Sequence, residues 1–258
     1  MKILNQDIGS VYIWAIALLT LLACLSSYAL RSFPLPLIVS VAAAALAETT
    51  LSGLVRRQRT QIPFSGIITG LIIGSVAPIN APLLVVIAAS LIAVLSKFFI
   101  KAKHSNVFNP AAFGLLIALS FFGIGDEWWA ATSYNLHGFV LSATPLLAIA
   151  AYKARRLAAS LSFAAVSIAI YLVSSHSGIS SVSIDTLLFS VNYYFAFVML
   201  ADPKTSPHGR AMQVIYGVSV AMLYAMLAVY AAPYPAFIAL LTGNLLYALY
   251  RILKRHAQ

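Results

Sequence analysis

Apolar residues fall into ten long runs, at about residues 11–30, 34–54, 63–79, 82–100, 108–124, 138–152, 157–174, 185–201, 211–231 and 233–250. A helix that crosses a bilayer takes roughly 20 residues. The pattern therefore predicts an all-α polytopic membrane protein with about ten transmembrane helices. Several runs are shorter than a full span. Polar, Gly- or Pro-containing breaks begin some of them: Pro63-Phe64-Ser65-Gly66, Asn106-Val107-Phe108-Asn109-Pro110, Ser142-Ala143-Thr144-Pro145 and Ala201-Asp202-Pro203. Broken backbone is tolerated at membrane depth only where protein buries it or it lines a cavity. Ten spans divide into five plus five, and an odd-numbered unit repeated in tandem comes out inverted. Inverted repeats with broken helices are a recurrent transporter design. The expected organisation is a first five-helix half over residues 1–125 and a second over residues 126–258, in one integral membrane unit. No sequence repeat is visible between the halves, so parity alone carries this expectation.

Composition narrows the class. Hydrophobic residues make up 62% of the 258 and charged residues 9%, against about 25% charged in soluble domains. A soluble enzyme and a disordered chain are both excluded. The single cysteine, Cys24, rules out an intrachain disulfide, a thiolate iron–sulfur cluster and a CxxC pair. Redox chemistry here needs a non-thiol cofactor.

The net charge of +10 would suit a nucleic-acid binder if the bases were pooled on one surface. They lie instead in short clusters between the apolar runs, so the partner is the lipid bilayer and not nucleic acid. With the N-terminus inside, 15 of the 16 basic residues fall in inner segments and only Arg31 falls outside. This predicts cytoplasmic N- and C-termini. The first run reads as an uncleaved anchor. Trp128 and Trp129, in the outer loop with Asp126 and Glu127, read as an interfacial aromatic belt.

The breaks carry the candidate chemistry. Ser142-Ala143-Thr144-Pro145 lies at the outer end of the sixth run, and on spacing alone Thr144 reads as a helix cap. Asn109 before Pro110 reads the same way, although the amides of Asn106 and Asn109 could also face a ligand. Asp202, Thr205 and Ser206 read as a turn, or as a carboxylate and two hydroxyls beside a cavity that could hold a ribityl chain or a cation. Gly66, Gly70 and Gly74, with Ser65 and Thr69 beside them, form a small-residue stripe. Close helix packing is the favoured reading, and a flat ring against the backbone is the alternative. Tyr193, Tyr194 and Phe197 are candidate stacking residues in the eighth run.

Glu48 is the only carboxylate in the middle of an apolar run, which makes it a possible ion or proton site. Its nearest flanking base, Arg56, is about 12 Å along the helix, too far for a direct pair. The alternative is a neutral acid bonded to a neighbouring helix. Lys97 reads as snorkelling to the inner interface. No histidine pair has metal-ligand spacing, so no metal site is expected, and no P-loop motif is present.

Taken in order, Ser65-Gly66-Ile67-Ile68-Thr69-Gly70-Leu71, Asn106-Val107-Phe108-Asn109-Pro110-Ala111, Ser142-Ala143-Thr144-Pro145-Leu146 and Asp202-Pro203-Lys204-Thr205-Ser206-Pro207 resemble the NqrB/RnfD family over about residues 64–217. These are flavin-bearing membrane subunits of the sodium-pumping NADH:quinone reductase and the Rnf electron-transport complex. The resemblance implies ten helices in an inverted arrangement in the cytoplasmic membrane of a prokaryote. It implies FMN esterified to a threonine in an S-G-A-T motif, which Thr144 matches, and partners among FMN-binding or other redox membrane subunits. This chain departs from that pattern. The Gly of the motif is missing, and Gly138 stands where the flavin-transferase signature has an Asp. Flavin, as FMN or riboflavin, is therefore expected to be held non-covalently, with covalent FMN at Thr144 as the alternative.

Two functions follow. One is a flavin-binding subunit of an Rnf/Nqr-like system that moves electrons across the membrane, coupled to Na+ or H+ and not catalytic alone. The other is a riboflavin transporter of the RnfD-like type. The candidate flavin-binding set is Ser142, Ala143, Thr144, Pro145, Ser65, Gly66, Thr69, Gly70, Asn106, Asn109, Asp202, Thr205, Ser206, Tyr193 and Tyr194.

Overall fold

A computed structural model of the chain describes residues 2–56, 62–102, 105–132, 137–176 and 190–256. It is an all-α membrane protein. The only strands among the described residues are the two-residue β1 (Lys101–Ala102) and β2 (Ser105–Asn106), paired as an antiparallel hairpin. The chain divides into two compact units, Met1–Tyr134 and Asn135–Gln258.

The first unit holds α1 (Lys2–Leu30), α2 (Leu35–Arg56), α3 (Phe64–Val76), α4 (Leu83–Phe99), α5 (Pro110–Phe122) and the single turn α6 (Trp129–Thr132). The second holds α7 (His137–Lys153), α8 (Leu157–His176), a π-helical segment Phe195–Met199, α9 (Arg210–Val229) and α10 (Pro235–His256). Among the described residues, five helices are long and apolar enough to cross a membrane: Tyr12–Leu30 within α1, Leu35–Val55 within α2, α8, α9, and Pro235–Lys254 within α10. Their outward side chains, such as Leu46 on α2 and Val229 on α9, are large, apolar and exposed, as lipid contact requires.

α3 is the centre of the first unit. It has 13 residues and rises about 20 Å, short of the roughly 30 Å hydrocarbon core. It packs against α1, α2, α4, α5 and α6, and nine of its residues are buried. A helix that ends inside the protein leaves carbonyls in need of donors. Residues 127–129 supply them. The backbone N–H groups of Glu127 and Trp128 donate to the Val76 carbonyl at 2.9 and 3.1 Å. The Trp129 indole Nε1 donates to the Gly74 carbonyl at 2.7 Å, and Glu127 Oε2 accepts from the Ile79 N–H at 2.7 Å. Trp128 and Trp129 are therefore buried and are not a belt at the lipid interface. These bonds also tie the 126–132 segment to the first unit.

Small residues bring α3 against α2. A Cβ on Gly70 would lie 2.5 Å from the Val41 Cα and 2.6 Å from the Ser40 carbonyl oxygen. Ser40 Oγ donates to the Gly70 carbonyl at 2.8 Å, and Ser90 Oγ on α4 donates to the Ser40 carbonyl at 3.1 Å. Interhelical hydrogen bonds and close backbones are the cohesion available where lipid removes the hydrophobic drive.

In the second unit α8 anchors the π segment. Ser160 Oγ donates to the Ala196 carbonyl at 2.6 Å. Phe163, Phe195 and Tyr224 form an aromatic knot with centroids 5.2–6.3 Å apart. The helix pairings of the two units share an order. In the first, α1 and α2 pack on α3, α2 on α4, and α4 on α5. In the second, α7 and α8 pack on the π segment, α8 on α9, and α9 on α10.

The four sequence breaks turn out differently. α3 begins at Phe64, after Pro63, and α5 begins at Pro110, as expected. The segment after Ala201 is a turn, and helix resumes only at Arg210. The Ser142–Pro145 break does not start a helix: α7 runs through it, with Pro145 inside. Of the eighth run, 185–201, residues 185–189 lie outside the described residues, and the regular part is the short piece around Phe195–Met199.

Candidate functional site

The first unit carries a buried ion pair. Glu48 on α2 and Lys97 on α4 approach to 3.0 Å, with side chains 15% and 6% exposed. Lys97 Nζ also donates to the Ser65 carbonyl at 2.9 Å and to Ser65 Oγ at 3.0 Å, in the first turn of α3. Three helices thus meet at one ammonium group. This corrects one sequence expectation, since Lys97 does not snorkel. The partner of Glu48 is on a neighbouring helix, and it is a lysine. The sequence separation of 49 residues hides the pair from any reading along one helix.

The other first-unit candidates have structural surroundings. Asn109 caps α5, its Oδ1 accepting from the Ala112 N–H at 3.1 Å. Asn106 is buried in the hairpin, opposite Lys101. Gly66 and Gly70 face α2, since a Cβ on Gly66 would lie 2.9 Å from both the Ala44 carbonyl oxygen and Glu48 Oε2. Thr69 Oγ1 bonds back to the Ser65 carbonyl at 2.8 Å. The packing reading accounts for this stripe.

The second unit carries a polar loop on Arg156. Asp202 Oδ2 accepts from Thr205 Oγ1 at 3.0 Å and Oδ1 from the Lys204 N–H at 3.1 Å. Ser206 Oγ donates to the Asp202 carbonyl at 2.6 Å. Arg156 is 3% exposed. It donates to Ser206 Oγ at 2.9 Å through Nε and to the Pro203 carbonyl at 3.1 Å. Gln213 ties the loop to α9 by donating to the Arg155 and His208 carbonyls. Asp202, Thr205 and Ser206 are thus engaged in one turn. The sequence did not point to Arg156 or Gln213, although the basic Lys153–Arg156 cluster was visible as topology.

Electrostatics follow from this packing. Burial lowers the Arg156 pKa, against the opposing effects of Tyr247 and Asp202. The His208 pKa is lowered by partial burial and then by the positive charges of Arg156 and Arg251. Arg251 lies over the Tyr247 ring at 4.9 Å.

Thr144 sits in the interior of α7, one residue before Pro145, so it is not an N-cap. Its Oγ1 is buried and has no hydrogen-bond partner among the described residues. Ala143 beside it is buried, Pro145 is exposed, and the Ser142 side chain lies outside the described residues. Pro145 has no N–H to give the carbonyl four residues earlier, so α7 carries a local defect next to the orphaned hydroxyl. α7 packs on the π segment. Just before and within that segment, Tyr194 is buried and the Tyr193 ring lies parallel to Phe197 with centroids 6.5 Å apart. Single π turns often occur at functional sites.

A sequence model described as the NQR2, RnfD, RnfE family matches residues 4–193. The chain belongs to this family. The match covers Glu48, the α3 glycines, Lys97, Asn109 and Thr144, and stops before Asp202. It makes the chain a membrane subunit of the Rnf/Nqr type. No curated protein matches the chain.

Proposed function

We propose that this chain is a flavin-binding subunit of an Rnf/Nqr-like electron-transport system, moving electrons across the cytoplasmic membrane of a prokaryote in concert with Na+ or H+. The observation that carries the proposal is the buried hydroxyl of Thr144, which has no hydrogen-bond partner among the described residues. An unsatisfied buried hydroxyl costs about 1–3 kcal/mol, and a ligand with a hydrogen-bonding group would remove that cost. The surroundings suit a flat heterocycle. Ala143 beside the threonine is small, and Tyr193 and Tyr194 immediately precede the π segment that α7 contacts. Flavin would supply the one- and two-electron chemistry that a chain with one cysteine lacks. Thr144 would orient it by hydrogen bonding, and the apolar walls of α7 and the π segment would exclude water.

The hold on the flavin is non-covalent in this account. Gly138 and Ala143 replace the acid and the glycine of the flavinylation motif, and a threonine hydroxyl needs the transferase to become esterified. Redox membrane subunits of the same complex, including FMN-binding ones, are the partners. The shared order of helix pairings in the two units supports a five-helix inverted repeat, with both termini cytoplasmic as the basic clusters require.

The missing acid favours a second reading, riboflavin transport, because a carrier needs no flavinylation signature. Titration of the purified protein with FMN and with riboflavin, followed by flavin fluorescence quenching, tests binding. Thr144→Ala should weaken it several-fold, and failure to take up either flavin would remove both readings. Riboflavin accumulation in proteoliposomes containing this chain alone would select the transporter.

A further inference from the structure

Three oxygens from two other helices are among the partners of the Lys97 ammonium: Glu48 Oε2 at 3.0 Å, the Ser65 carbonyl at 2.9 Å and Ser65 Oγ at 3.0 Å. A carboxylate, a backbone carbonyl and a hydroxyl around one buried positive centre make up the donor set of a monovalent-cation site. Hard cations take oxygen ligands of these types. The charge count agrees. Within the helices that meet there, α3 has no ionisable side chain, α4 has only Lys97, and α2 has Glu48 and, at its last residue, Arg56.

We propose that Glu48 and Ser65 form an alkali-cation site that this chain fills with its own lysine. Lys97 is a tethered counter-ion, and a free cation enters only when the ammonium is absent. The site is independent of the flavin reading. Potassium and methylammonium are the cations that fit, because a primary ammonium group is close to potassium in size. Choline is too bulky. In the wild-type protein the cage is occupied, so potassium, sodium and methylammonium have the same effect on stability as choline at equal ionic strength.

The test uses Lys97→Ala and Lys97→Met of the full chain, purified in detergent. Thermal unfolding is compared in the chlorides of potassium, methylammonium and choline at equal ionic strength. For each variant, potassium or methylammonium at a few times its dissociation constant should raise Tm by about 2–4 °C over choline. The wild type should show no such difference. Adding Glu48→Gln to either variant should abolish the rise. Variants that fold only when prepared in potassium or methylammonium would also support the site. Equal Tm values in all three salts would overturn it, as would variants that fold in none of them.

Discussion

Replacing Gly70 with alanine separates the two roles that a small-residue stripe can have. The added Cβ would lie 2.5 Å from the Val41 Cα, 2.6 Å from the Ser40 carbonyl oxygen and 2.8 Å from the Val41 nitrogen. All three are backbone atoms, so no side chain can rotate away and α2 must shift. The shift would also strain the Ser40-to-Gly70 hydrogen bond, which measures 2.8 Å. Overpacking of this kind costs about 1–3 kcal/mol. The control is Gly53→Ala, on α2, where nothing lies within 4 Å. There alanine should gain about 0.5–1 kcal/mol from helix preference. Thermal unfolding in one detergent should therefore move the two variants in opposite directions. If Gly70→Ala unfolds like the wild type and only flavin affinity falls, the stripe faces a ligand and the assignment of α3 to helix packing is wrong.

Three further outcomes follow from the structure. Asn109→Ala removes the side-chain acceptor for the Ala112 N–H and should cost about 1 kcal/mol in the same assay, with Asn109→Asp close to wild type. The His208 pKa lies below its ordinary value, so the unfolded chain binds more protons than the folded one between the folded pKa and about 6.5. Acidification through that window should lower stability, and Arg251→Ala should raise the imidazole NMR titration midpoint; an unchanged midpoint would detach Arg251 from this histidine. A topology reporter fused after Arg156 should be cytoplasmic and one placed near Asp126 external, and the reverse activity at both sites would invert the orientation.

Much of the fold was legible because a bilayer imposes simple rules. Apolar runs near 20 residues marked α1, α2, α8, α9 and α10, and Asn109-Pro110 marked the start of α5. Trp128 and Trp129 misled because tryptophan is frequent at interfaces. Their burial depends on α3 stopping at Val76 and leaving the Gly74 carbonyl in need of a donor, which no local pattern shows. Lys97 misled in the same way, since its partners are on α2 and α3. Pro145 read as a helix start because proline favours first turns, yet the residues before it are helical as well. At the site, the sequence singled out Thr144 but could not show that its hydroxyl is buried with no partner among the described residues. That fact depends on how α7 packs.

Mass spectrometry of the protein purified from its native host, recorded under native and then denaturing conditions, tests the flavin assignment most directly. The expected result is a native mass raised by one flavin, which falls to the mass of the bare chain on denaturation, and a weakened native adduct in Thr144→Ala. A bare chain under native conditions, from cells supplied with riboflavin, would contradict the flavin-binding reading. A stoichiometric increment of FMN minus water that survives denaturation would contradict the non-covalent hold.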